Sequence, residues 1–506
     1  MILKARTTAG EVSGAVSDIH TISVFKGIPF AAPPVGNLRW RRPQPAIPWE
    51  GVKECIRFSP KPMQVRRDPE DFSAKEFYGE EFPMSEDCLY LNVWTPAKSP
   101  DDKLPVYVFF YGGSYVRGTT TGMQLDMLNM SKQGIVCVTP NYRVGLFGFL
   151  AHPELDAEND EHVSGNYGLL DQIAALKWVR DNIARFGGDP EKVTIGGQSA
   201  GAVSGQILSV SPLARGLFRG AIMQSGAGLM PWMRRPIATL AGYEKDIDLK
   251  KQLGVESVAQ ARKLDAGELM ARMAEAKKNG CGLHFHELVD GYVLPMSESA
   301  MVYHGKAAHI NYMLGGNSYE YTFEGQTMGG FTYTADSEYE DRASDFYKLA
   351  DCHDQKDLDE FLKVYCVMRS GALSFAECVQ ALPETKVYVY YFDHDMPGDD
   401  AGCFHGSENW YCNGTLMHSW RPFTGEDYDL SMQMMGYWSN FIKTGDPNGC
   451  DCAGRILPVW DSYTHDDPDT QILKVGMTDS APMQDHPSVQ FEVNYLLNEY
   501  YKKHDL

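Results

Sequence analysis

No stretch of the 506-residue chain stays apolar long enough to span a bilayer. Basic residues are outnumbered, 46 Lys and Arg against 67 Asp and Glu, for a net charge of −21. That balance argues against binding nucleic acid or anionic membrane. There is no internal repeat, low-complexity tract or Pro/Ser-rich linker, so nothing divides the chain cleanly. Cysteine is sparse and odd in number, 11 in all, without a CxxC…CxxC framework. The tightest pair, Cys450 and Cys452 in "CDC", is too close for ordinary zinc spacing, and His284 and His286 in "HFH" lack a third ligand. The opening residues, "MILKARTTAGEVSG", have neither an apolar core nor a small-residue cleavage site. Together these absences lead us to expect free thiols, no metal and a cytoplasmic location.

The remaining composition, 43% apolar with 22% charged, is that of a globular chain with a large core. Short β-type runs alternate with helical patterns: "KLPVYVFFYGG", "GIVCVTPNYR", then "GLLDQIAALKWVRDNIARFGGDP". In the last, Leu169, Ile173, Leu176, Val179 and Ile183 fall at helical spacing, and glycines close the pattern. "KVTIGG", "AIMQSG", "NYMLGGN" and "KVYVYYF" supply further strands, and "MQMMGYWSNFIKTG" a late helix. This rhythm predicts parallel strands covered by helices in one α/β domain over residues 1–506. Charged helical patterning over about 235–310, as in "GELMARMAEAKK", reads as a helical insertion beside the sheet and over the site.

In "VTIGGQSAGAVSG" a single serine, Ser199, stands between Gly197 and Gly201 where a strand hands over to a helix. G-x-S-x-G by itself is weak, but strand before and helix after is the context a nucleophile elbow requires. A serine hydroxyl also needs a base, an orienting acid and oxyanion donors. "YGGS", Tyr111 to Ser114, ends a buried-looking strand and offers backbone N–H groups. His405 in "CFHGSE" and Glu320 in "GGNSYEYTFEG" both follow strands, where such sheets assemble their sites. The order Ser…Glu…His is one of the known triad orders.

Beyond these residues the chain resembles the type-B carboxylesterase family, which includes the cholinesterases. "FKGIPFAAPPVGNLRWRRPQP", "SEDCLYLNVWTP", "NYRVGLFGFL", "VTIGGQSAGA", "LVDGYVLP", "GCFHGSE" and "WSNFIKTGDPN" follow in family order. The resemblance implies an α/β-hydrolase fold and cleavage of small-molecule carboxylic esters without metal or organic cofactor. It implies Ser199 as nucleophile, His405 as base and then acid, and Glu320 as the orienting acid. The backbone N–H groups of Gly113, Ser114 and Ala200 would form the oxyanion hole. Ser225 would lie behind the histidine, and Glu86 and Asp87 would anchor buried arginines. Tyr115, Gln198, Phe323 and Trp410 are expected near a substrate pocket.

The chain departs from the family pattern in several places. Ser114 takes the place of a third glycine, and Gln198 stands where cholinesterases carry glutamate. Tyr78 occupies the position of their choline-binding tryptophan, so choline specificity is not implied. The acid sits in Asn317-Ser318-Tyr319-Glu320 rather than an N-x-D-E-G context, and Glu324-Gly325 offers an alternative acid. Cys88 matches a half-cystine of secreted relatives whose partner position is Pro62 here. An amidase or transacylase on the same triad, or a non-catalytic binding module, stays open on sequence alone, as does the oligomeric state.

Overall fold

In the computed structural model, residues 1–503 are described apart from 67, 79–80, 230–238, 246, 321–338, 354–355, 358–360 and 362–367. Eleven strands form the central sheet: β1 Ala15–Val16, β2 Ser23–Pro29, β3 Tyr90–Thr95, β4 Leu104–Phe110, β5 Val136–Pro140 and β6 Gly188–Gln198, continuing with β7 Gly220–Gln224, β8 Asn311–Asn317, β9 Val387–Phe392, β10 Asp469–Lys474 and β11 Met477–Pro482. Their spatial order is β1-β2-β3-β5-β4-β6-β7-β8-β9-β10-β11. From β5 through β10 every neighbouring pair is parallel, while the edges are antiparallel. This is the mostly parallel, helix-flanked sheet expected of an α/β-hydrolase.

A parallel strand buried on both faces must be apolar throughout rather than alternating. β4 meets that demand: Val106 to Phe110 are all buried. Helix α1, Tyr167–Asn182, covers the sheet with the predicted stripe, Leu169, Ile173, Leu176 and Val179 being buried. Ile183 is buried in the following 3-10 turn, which Gly187 closes at φ 80°. Helix α2, Ala200–Val210, starts directly beyond β6 and packs on β6 and β7. Between β7 and β8 the described elements are helices, Ala266–Lys278 the longest among them, with an Asp265 cap on Gly267 N–H. No helix among the described residues is long and apolar enough to cross a membrane.

Charged residues fasten the loops around the site. Arg39 makes a bidentate pair with Glu86, at 2.6 Å for each bond. Among the described residues Asp87 anchors no arginine; its carboxylate faces the Tyr90 hydroxyl, whose pKa burial and that acid push up. Arg143 is buried against Asp171 at 2.8 Å. A third pair was not foreseen: Arg421 donates to both oxygens of Glu76 at 3.0 Å and to Asp399 at 2.7 and 3.1 Å. Trp410 and Trp420 add their indole N–H groups to Glu76. Removing one partner of a buried pair strands the other charge. Arg421→Met is therefore expected to cost about 3–5 kcal/mol in urea unfolding, far more than loss of an exposed pair. Pro62 and Cys88 line one small cavity, and all ten cysteines among the described residues are free thiols.

Candidate active site

β6 ends at Gln198 and α2 begins at Ala200, so one residue makes the turn. That residue, Ser199, sits at φ 57° and ψ −126°, a strained conformation costing about 1–3 kcal/mol. It is held by its own N–H, which donates to Gln224 O at 2.9 Å. The flanking glycines are there because nothing else fits. A Cβ on Gly197 would lie 2.4 Å from the Gly201 carbonyl carbon, and one on Gly201 would lie 2.1 Å from Phe110 O. Close packing of strand, turn and helix lifts the serine hydroxyl to the rim of the sheet, where it is partly exposed.

Glu320 follows β8 by three residues and is fully buried. Its Oε1 accepts from Asn317 N–H at 2.7 Å, and its Oε2 lies 2.5 Å from His405 Nδ1. The second ring nitrogen, Nε2, meets the side-chain amide of Gln198 at 3.0 Å. With a carboxylate on Nδ1, the ring carries its proton there, and Nε2 offers its lone pair to the Gln198 N–H. Among the described residues the Ser199 hydroxyl does not hydrogen-bond this ring. The amide of the preceding residue reaches the lone pair instead. Gly406 follows at φ 85°, a left-handed conformation that favours glycine, while a Cβ there would only touch Gln198 Nε2 at 3.4 Å and Phe77 Cζ at 3.5 Å.

Burial alone would lower the His405 pKa. The Glu320 charge and hydrogen bond, with Glu408 behind, outweigh it and raise the ring above its ordinary value. Glu408, three residues on and fully buried, is itself pushed up to about 7 by burial and by the Glu320 charge. Asn317 Nδ2 donates to Glu408 Oε2 at 2.7 Å and to Phe404 O at 2.8 Å. Ser225, at φ 51°, donates to Glu408 Oε1 at 3.4 Å. Its place is thus against the second carboxyl behind the histidine.

The segment Gly112–Gly118 returns beside the elbow. A Cβ on Gly112 would lie 2.6 Å from Gln198 O and 2.9 Å from Ser199 Cβ. Gly113, Ser114 and Tyr115 follow at φ 117°, 54° and 58°. The N–H groups of Gly113, Ser114 and Ala200 have no acceptor among the described residues, an arrangement suited to a developing oxyanion. Tyr115 is buried, its hydroxyl 3.0 Å from Ser204 Oγ on α2. Trp410 is wholly buried with its N–H on Glu76. Phe323 and the alternative acid Glu324 lie outside the described residues. Sequence reading used Asn317 only as context for the acid, and it missed Glu408 and Phe77, the last packed edge-on near Phe404. Of the two missed residues only Glu408 carried a usable signal, three residues beyond His405 in the "CFHGSE" motif.

The sequence matches the model of the carboxylesterase family over residues 2–366 and 331–491. It is 31% identical to the acetylcholinesterase of Bungarus fasciatus, over 99% of this chain and 87% of that one. Identity to liver carboxylesterase 1F of Rattus norvegicus is also 31%, over 93% and 90% of the two chains. To the fumonisin B1 esterase of Sphingopyxis macrogoltabida it is 40% over 322 residues, 63% of this chain but only 56% of that protein. Among solved structures, a PNB esterase aligns with TM-score 0.80 at 28% identity, covering 97% of this chain and 99% of its own.

Proposed function

The chain belongs to the carboxylesterase family and is a carboxylic ester hydrolase; from that premise we propose that it acts through an acyl-enzyme formed on Ser199. His405 Nε2 takes the serine proton as Oγ attacks the ester carbonyl, and the Gln198 amide gives up that lone pair as substrate enters. The carbonyl oxygen, now an anion, receives the N–H groups of Gly113, Ser114 and Ala200. The histidine returns its proton to the leaving alcohol, then activates water to release the acid. Glu320 holds the ring in the required tautomer and balances the imidazolium charge. The observation that carries this reading is the buried Glu320–His405 bond at 2.5 Å, which leaves the Nε2 lone pair facing the elbow residues.

The test pairs a fluorophosphonate probe with turnover of aryl esters of increasing acyl length. Label located on Ser199 together with ester turnover is the expected result. Well-folded protein that turns over esters yet takes label at another residue overturns the assignment. The pH dependence has a definite sign. The base works only when neutral, and its pKa is raised by Glu320. The acid limb of kcat/KM should therefore have its midpoint above 6.5, the ordinary imidazole value, with activity lost as pH falls through it.

A further inference from the structure

Three consecutive residues with positive φ, Gly113 to Tyr115, do not keep that shape unaided. Within the loop from Gly112 to Gly118, Gly113 O accepts from the Val116 and Arg117 N–H groups at 3.1 and 3.2 Å, and contacts with the surroundings hold it at three further places. Its start abuts Ser199, as described above. Its middle is fixed by Gly145 N–H donating to Tyr115 O at 2.7 Å and by the Tyr115 hydroxyl on Ser204. Its returning end, Gly118, has no side chain to anchor. At φ 139° a Cβ there would fall 2.2 Å from the Tyr111 ring and 2.7 Å from Gly112 O. An outside residue secures it. Gln64 accepts from Gly118 N–H at 3.0 Å and donates to Gly118 O at 2.7 Å. The second amide hydrogen of Gln64 goes to Pro62 O at 3.0 Å. Every group of this carboxamide is used, so its orientation is fixed and both polar atoms of Gly118 are engaged at once.

We propose that Gln64 is a positioning residue for ester hydrolysis: its carboxamide clamps the returning end of the Gly112–Gly118 loop and so keeps the Gly113 and Ser114 N–H groups aimed at the oxyanion. Gln64 acts through the backbone of the loop, from a segment 48 residues before Gly112 in sequence. Released at Gly118, the loop would relax its left-handed turn and swing those donors off line. The proposal rests on the oxyanion reading given under the proposed function.

The test uses the full chain with Gln64→Met, which keeps length and removes all three bonds, and Gln64→Glu, which is isosteric and keeps only the acceptor for Gly118 N–H. An aryl acetate gives kcat and KM. A trifluoromethyl ketone, which adds the serine oxygen to form an oxyanion, gives Ki. Loss of one oxyanion donor costs about a hundredfold or more, so partial misalignment is expected to lower kcat by about tenfold to a hundredfold. KM should stay nearly constant, Ki should rise by the same factor as kcat/KM falls, and the acid-limb midpoint, set at His405, should not move. A merely structural role would lower thermal stability without that proportionality. If Gln64→Met does not fold, Gln64→Glu carries the same comparison. Folded variants with wild-type kcat and Ki, or a kcat/KM loss that Ki does not follow, overturn the clamp. If instead the wild-type enzyme forms no adduct on Ser199, the proposed mechanism fails and not the clamp alone.

Discussion

Ser199→Ala is expected to lower kcat for any ester substrate by about ten-thousandfold or more, with no loss of folding stability beyond about 0.5 kcal/mol. The chemical reason is plain: the attacking oxygen is gone. The structural reason for unchanged stability is that the serine hydroxyl makes no hydrogen bond among the described residues, while the strained turn is held by backbone bonds that alanine preserves. His405, Glu320 and the backbone donors remain in place, so substrate still binds and KM should change little. Nucleophile and base act as one unit. Ser199→Ala combined with His405→Ala should therefore be about as slow as either alone, where independent contributions would multiply. A Ser199→Ala enzyme keeping more than a hundredth of wild-type kcat would place the nucleophile elsewhere.

Much of this site is visible in the sequence because its parts are local. Gly197 and Gly201 flag the elbow by their spacing around Ser199, although only the crowding at Gly197 is partly local; that at Gly201 comes from Phe110 O on β4. Strands such as Val387–Phe392 announce themselves by continuous apolar runs, and α1 by its 3.6-residue stripe. What stays hidden is tertiary. Glu76 and Arg421 are 345 residues apart, and neither carries a sign that two tryptophans and an aspartate converge on the pair. The sheet edge is equally silent: "DTQILK" and "MTDSAP" are short and polar, and they form strands only because each pairs with the other and one with β9. Gln198 was legible as a site residue from its place before the serine. That its amide takes the histidine lone pair could not be read, because it joins two segments 207 residues apart in sequence.

The acid gives the second large effect. Glu320→Gln is expected to lower kcat by about ten-thousandfold, as amide replacement of a triad carboxylate does elsewhere. Here the surroundings dictate how the amide must sit. Asn317 N–H needs an acceptor and takes it from the oxygen at the Oε1 position, 2.7 Å away. The amide nitrogen is then turned toward His405 Nδ1, where it can only donate. That forces the ring proton onto Nε2, facing the nucleophile, so the base is blocked by its own hydrogen. The imidazolium formed during attack also loses its countercharge. Both Glu320 influences on the histidine pKa would vanish, leaving only the smaller one of Glu408 against the lowering by burial. The residual activity of Glu320→Gln should therefore persist to lower pH than that of the wild type. Glu324→Gln should remain within about tenfold of wild type, because Glu320 already occupies the ring nitrogen that a triad acid needs. Measuring kcat against pH for both variants decides the matter: a collapse confined to Glu324→Gln would transfer the role to that residue.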